Sequence, residues 1–297
     1  MNQPGYHRLG VFLMLTGAVL FATKAIFVKL AYQYEVSSIS LLGLRMAFSL
    51  PFFLLIGYWQ GRRDQKRAPL TWRDRIIIIA LGLVGYYLAS YLDFLGLQYL
   101  SAGMERLILF IYPTLVLLLG WFFLAKKILP IQWLATGITY VGLMLSFSTS
   151  DFSGNSNLIL GSLFVFGSAF TYSIFVLGSG ELTPRLGSIR FTSLAMIAAA
   201  LGVLTQVLIS GESLLNLAPI IYAYGFTIAI VATVIPVYMI TEGIKRIGAG
   251  NAAILGAVGP VATIVLEYLV LGESLDVIQW FGAILIIGGV VIIGRSK

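Results

Sequence analysis

The sequence predicts an all-α membrane protein of ten transmembrane helices, arranged as two inverted five-helix repeats over residues 1–150 and 151–297. Three observations predict it. The chain is 59% hydrophobic and 10% charged, with a mean hydropathy of +0.96. A soluble domain carries about 25% charged residues, so the solvent for most of this surface is lipid. Ten apolar stretches are each long enough for a hydrocarbon core of about 30 Å, which takes roughly 20 helical residues. The third observation is a repeat. Ala102-Gly103, Pro113, Gln132-Trp133 and Gly142 recur at Ala249-Gly250, Pro260, Gln279-Trp280 and Gly289, all at one ungapped offset of 147. Five spans per copy is an odd number, which turns the second copy over in the bilayer.

The spans fall near 9–31, 38–59, 76–98, 101–125 and 131–149, then 158–180, 186–209, 218–241, 249–271 and 277–294. All are helices, because an open strand in lipid leaves backbone groups without partners. The first is read as a retained helix, since no small-residue cleavage site follows it. It carries Lys24 and Lys29, the second carries Arg45, and the third carries Tyr87, Tyr91 and Asp93. Glu105, Arg106, Tyr112 and Pro113 lie in the fourth; the fifth opens on Gln132-Trp133. Tyr172 is near the middle of the sixth and Arg190 near the start of the seventh. Tyr238 is in the eighth with Glu242 at its end, Pro260 and Glu267 are in the ninth, and the tenth opens on Gln279-Trp280. The 32 glycines suit close helix approach in a bundle. Trp59, Trp72, Trp133 and Trp280 mark span ends as interface anchors. The segment 151–157 is the seam between halves.

Orientation follows from the basic residues. With the N-terminus inside, the inner ends carry Arg8, Arg62, Arg63, Lys66, Arg67, Arg73, Arg75, Lys126, Lys127, Arg185, Lys245, Arg246, Arg295 and Lys297. The outer loops carry Glu35, Asp151, Glu212, Glu273 and Asp276 instead. This obeys the positive-inside rule and puts both termini in the cytoplasm of a cell (inner) membrane. The net charge of +7 is therefore topology, and nucleic acid is not an expected partner.

Several chemistries are excluded. There is no cysteine, and the single histidine, His7, precedes the first span, so no metal centre is expected. Gly248-Ala249-Gly250-Asn251-Ala252-Ala253 matches a dinucleotide-binding loop in letters only, because that fingerprint needs a preceding strand. No cofactor and no catalytic residue are expected.

What remains is charge inside the spans, where each ion at the centre costs at least about 2.5–3.5 kcal/mol on insertion scales. Lys24, Arg45, Asp93, Glu105 and Arg106 come to one level, about 5–10 Å below the outer helix ends at about 1.5 Å per residue. Glu105 and Arg106 point about 100° apart on a helix and should find other partners, Asp93 with Arg106 or Lys24 and Glu105 with Arg45. The cluster reads as an outer clamp, a gate or a substrate-charge site. Arg190 with Glu242 is the inner counterpart. Pro113 and Pro260, at mid-span, should kink their helices and free the carbonyls of Leu109 and Gly256, which a cavity would satisfy. Tyr87, Tyr91, Tyr112, Tyr172 and Tyr238 are candidates for its wall.

These residues resemble the paired repeats of the drug/metabolite transporter superfamily, EamA type. The resemblance rests on Ser101-Ala102-Gly103 with Pro113, Gly248-Ala249-Gly250 with Pro260, Leu271-Gly272-Glu273, the two Gln-Trp pairs, and Arg45 and Arg190. Ala125-Lys126-Lys127 departs from the pattern, where a Gly-Glu pair is usual. The resemblance implies a central cavity, alternating access and a non-enzymatic permease for a small organic metabolite, with export of amino acids or similar amphipathic solutes foremost. An importer of phosphorylated or nucleotide-linked metabolites is the alternative within the superfamily. A membrane-embedded enzyme using Asp93 and Glu105 is the alternative outside it. The expected partners are a small-molecule substrate and the lipid bilayer, with protons on Asp93, Glu105 or Glu242 as the candidate coupling ion. A monomer is compatible with all of this.

Overall fold

The computed structural model describes residues 4–63, 70–148, 157–271 and 277–295. Among them there is no strand. The helices are α1 (Pro4–Tyr32), α2 (Ser38–Arg63), α3 (Trp72–Tyr99), α4 (Ala102–Leu124), α5 (Pro130–Phe147), α6 (Leu158–Leu186), α7 (Ser188–Ser210), α8 (Pro219–Ile247), α9 (Ala249–Val270) and α10 (Val277–Arg295). Eight of these, all but α5 and α10, are long and apolar enough to cross a membrane. Their outer faces carry large apolar side chains such as Phe122 and Leu208, and the four tryptophans expected as anchors are exposed.

Several helices run further than their apolar stretches. Helix α3 begins at Trp72, not 76; α6 reaches Leu186, not 180; α8 reaches Ile247, not 241. The extra turns are polar and find partners. Thr71 caps α3 by accepting from Asp74 N, while Asp74 accepts from Thr71 N at 3.0 Å. Asp74 also pairs with Arg185, and Lys126 pairs with Glu181. At the same end of the bundle the Arg246 guanidinium lies 4.4 Å from the centre of the Tyr6 ring. The opposite end is tied differently. Lys29 donates to the carbonyls of Leu97 and Leu100 at 3.1 and 2.9 Å, and Ser40 donates to Glu212 at 2.8 Å. Lys66, Arg67, Asp151, Glu273, Asp276 and Lys297, and the side chains of Arg62, Arg63 and Glu267, lie outside the described residues.

Helix α1 packs on α8 and α9, α6 on α3 and α4, α2 on α7, and α5 on α10. Glycine makes the last contact possible: a Cβ on Gly142 would sit 2.6 Å from the Gly282 carbonyl oxygen. Four interruptions shape the interior. Helices α3 and α8 each contain a π turn, at Leu83–Leu88 and Ile230–Val234. Helices α4 and α9 are broken, at residues 110–111 and 256–257. The π turns of α3 and α8 begin at residues 83 and 230, related by the same offset of 147 that relates Pro113 to Pro260, and a third π turn, Glu267–Leu271, lies at the end of α9.

Candidate functional site

The breaks in α4 and α9 lie where the prolines predict them. Pro113 is in the first turn of the second half of α4. Across the bundle, the Tyr112 hydroxyl donates to the Ala253 carbonyl at 2.9 Å. That carbonyl is available because Ala257 N turns to Ile254 O instead. The Gly256 carbonyl, expected to be freed, accepts from Gly259 N at 2.9 Å. A tightened turn thus satisfies it locally, and the carbonyl one turn earlier is the one that reaches a side chain.

Two small cavities adjoin this crossing. One, of about 20 Å³, is lined by Lys24, Asp93, Tyr86, Ser90 and Ser168. The other, of about 40 Å³, is lined by Arg106, Tyr112, Ile240, Gly256 and Pro260. Phe21, Leu109 and Tyr172 border both. Phe21 and Tyr172 stack with ring centroids 6.2 Å apart and form the partition between them. Spaces of this size hold a water molecule or two, so the structure is closed around the site.

Four charges form an alternating row along the partition. Lys24 Nζ lies 2.5 Å from Asp93 Oδ2 and 3.9 Å from Glu105 Oε1; Arg106 Nε lies 3.1 Å from Glu105 Oε2. All four residues are buried, Glu105 completely. Lys24 Nζ and the Arg106 guanidinium sit 4.9 and 5.7 Å from the centre of the Phe21 ring, a favourable site for cations. Asp93 Oδ1, both Glu105 oxygens, and Arg106 Nε and Nη2 have no hydrogen-bond partner.

Two expected pairings are corrected. Glu105 and Arg106 do pair with each other despite being adjacent, because their long side chains turn toward one another from the middle of the first half of α4. Arg45 does not pair with Glu105. It is fully buried and donates to Thr233 Oγ1 at 2.7 Å, Ser90 Oγ at 3.2 Å and the Tyr86 hydroxyl at 3.4 Å. Tyr86 and Thr233 lie in the π turns of α3 and α8, so Arg45 ties one to the other. Glu242 is bound at the basic end by Ser188, Lys245 and Arg246, with Arg246 Nη2 at 2.7 Å. Arg190 is half-buried at the start of α7. Tyr238 shares a hydrogen bond with Ser193 at 2.7 Å. Tyr87 packs on Gly202 of α7, and Tyr91 packs into the apolar core; neither lines the cavities. Phe21 was not singled out from sequence, and Gly256 was named for its carbonyl but not for the close approach of Tyr112. Phe21 lies one helical turn before Lys24, and Gly256 lies four residues before Pro260.

The model of the EamA-like transporter family matches the chain twice, over residues 8–148 and 159–295. The chain belongs to the EamA-like transporter family. It is a multi-pass helical membrane protein. It is 33% identical over 287 residues to the uncharacterized transporter YcbK of Bacillus subtilis, covering 92% of this chain and 88% of that one. It is 23% identical over 298 residues to the uncharacterized inner membrane transporter YicL of Salmonella typhimurium, with 99% and 97% covered. A solved crystal structure superposes with a TM-score of 0.75 at 16% identity, covering 95% of this chain and 97% of that one, and so shares the fold.

Proposed function

We propose that this member of the family is a secondary transporter. It moves a small organic solute, an amino acid or similar amphipathic metabolite, outward across the cytoplasmic membrane by alternating access. The observation that carries the reading is the charge row. Its two open ends are opposite in sign, Asp93 Oδ1 beside one cavity and Arg106 Nη2 beside the other. Aromatic and aliphatic side chains separate them. A solute bearing an ammonium and a carboxylate on an apolar body complements that arrangement, with the ammonium on Asp93 and the carboxylate on Arg106. A solute needs more room than the closed cavities offer, so the breaks in α4 and α9 are where the halves rock apart.

Ten membrane helices in two inverted repeats, with both termini cytoplasmic, are part of this reading. The two family matches support it. So do the π turns at one offset and the way helix pairs exchange under a shift of five: α1 with α8 corresponds to α6 with α3, and α1 with α9 to α6 with α4. The inward sense of the basic end rests on the positive-inside rule, and the inner membrane on the name of the Salmonella relative.

The test is efflux from proteoliposomes loaded with a pooled panel of amino acids, amines, organic acids, nucleosides and sugar phosphates, followed by mass spectrometry. Selective loss of zwitterions is expected. Loss of sugar phosphates alone would replace the reading with the phosphorylated-metabolite alternative, and loss of nothing from inserted protein would remove it.

A further inference from the structure

We infer that Lys24 is the moving element of the charge row: a solute ammonium that takes Asp93 displaces Lys24 onto Glu105, with no proton gained or lost. This rests on the transport reading above and assigns the handling of charge within that site.

The geometry is already divided between two partners. Lys24 hydrogen-bonds Asp93 at 2.5 Å, yet Glu105 lies within ion-pair range at 3.9 Å with neither oxygen hydrogen-bonded. Closing that gap to a charge-assisted hydrogen bond of about 2.8 Å takes a movement of about 1 Å. A lysine ammonium on a flexible stem makes such a move readily. Glu105 gains by it, because a buried carboxylate without hydrogen bonds is costly.

The charge balance makes a proton unnecessary. Two cations and two carboxylates sum to zero, and a zwitterion adds zero. Asp93 of α3 and Glu105 of α4 face each other, and around them stand Lys24 of α1, Arg106 of α4, Arg45 of α2 and Tyr172 of α6. Arg45 is held by Thr233, Ser90 and Tyr86. Tyr172 is stacked on Phe21. Lys24 alone has a second partner waiting. Moreover, the row exists once. At the offset of 147, Asp93, Glu105 and Arg106 correspond to Ile240, Ala252 and Ala253. The second half therefore offers no duplicate exchange, and one solute is handled per cycle without net charge.

The probe that tests the exchange is ethylammonium chloride, added to purified protein while thermal unfolding is followed, with sodium chloride as the control. It imitates the ammonium end of a solute and requires no transport. Ethylammonium is expected to raise the melting temperature of the unaltered protein. Glu105→Gln should at least halve that rise, although Asp93 and Lys24 are both intact, because Lys24 has nowhere to go. Lys24→Met should enlarge it, because Asp93 is already vacated. An undiminished rise in Glu105→Gln, or no rise in the unaltered protein, would overturn the exchange. A second measurement uses the unaltered protein with the solute that leaves in the efflux panel. A pH dye in weakly buffered vesicles should record no proton movement coupled to flux. One proton per solute would overturn the proposal while leaving the transport reading intact; failure of efflux with a normal ethylammonium pattern would do the reverse.

Discussion

Gly256→Ala is the sharpest single perturbation of the central crossing. A Cβ at this position would stand 1.9 Å from the Tyr112 hydroxyl and 3.0 Å from the Ala253 carbonyl. The hydroxyl would have to withdraw by about 1.5 Å to reach ordinary contact distance. That breaks its 2.9 Å hydrogen bond and leaves the Ala253 carbonyl buried without a partner. The unsatisfied carbonyl costs about 1–3 kcal/mol and the overpacking about 1–3 kcal/mol, together about 2–6 kcal/mol. Tyr112→Phe alone should cost about 1–3 kcal/mol by the same lost bond. It also removes the atom nearest the new methyl, leaving Cζ at 3.2 Å. Gly256→Ala should therefore cost less in the Tyr112→Phe background, by about 1–3 kcal/mol of coupling. Equilibrium unfolding of the four proteins in detergent micelles measures the cycle. A Gly256→Ala protein as stable as the parent, or one whose loss is the same with and without the tyrosine hydroxyl, would refute the crossing described here.

Other expectations are simpler. Lys24→Met should destabilise the protein by about 3–5 kcal/mol by leaving two buried carboxylates short of a cation, and adding Asp93→Asn should recover part of this in the same unfolding assay. Gly82→Ala should lower stability by about 1–3 kcal/mol, since its Cβ would lie 2.2 Å from the Ala195 carbonyl oxygen, whereas Gly137→Ala, with nothing within 4 Å, should change it little. Pro113→Ala should slow efflux from proteoliposomes while the protein still inserts, and unchanged rates would take the break in α4 out of the transport cycle. Single cysteines at Lys66 and Gly211 should be labelled by an impermeant maleimide from opposite sides; labelling of both from the same side would refute the topology.

Much of this was legible in the sequence because lipid is an undemanding reader. Apolar length fixes where helices run, and a mid-span proline fixes where two of them break. The repeat offset tied Pro113 to Pro260 before any geometry was known. Side-chain partners were less accessible. The sequence placed Lys24, Asp93, Glu105 and Arg106 at one depth, but helical phase argued against the pair that Glu105 and Arg106 make. Phase describes where Cα–Cβ bonds point, and two long side chains can fold back beyond it. The role of Arg45 was hidden for another reason. Its acceptors, Thr233 and Tyr86, owe their positions to π turns, and a π turn is settled by packing between helices rather than by local residue preference. Gly256 was legible as the carbonyl four residues before Pro260, but its close approach to Tyr112 was not, since one glycine among 32 shows no such contact until its neighbour across the bundle is known.

The π turn of α3 has a consequence for insertions and deletions. A π turn carries one residue more than the α-helical path between the same two ends, so it is a stored residue that the helix can release without breaking. Removing one residue from Leu83–Leu88 would let α3 run on as a plain α-helix with the residues beyond it still in place, whereas a deletion elsewhere in the helix turns everything beyond it by about 100°. Ser90 would stay on Arg45 and Asp93 on Lys24. Helix α8 holds the same reserve at Ile230–Val234, beneath Thr233. Single-residue deletions at these two places should thus behave unlike those elsewhere in the helices: the protein keeps the alignment of its buried charges, which a deletion in plain α-helix would lose.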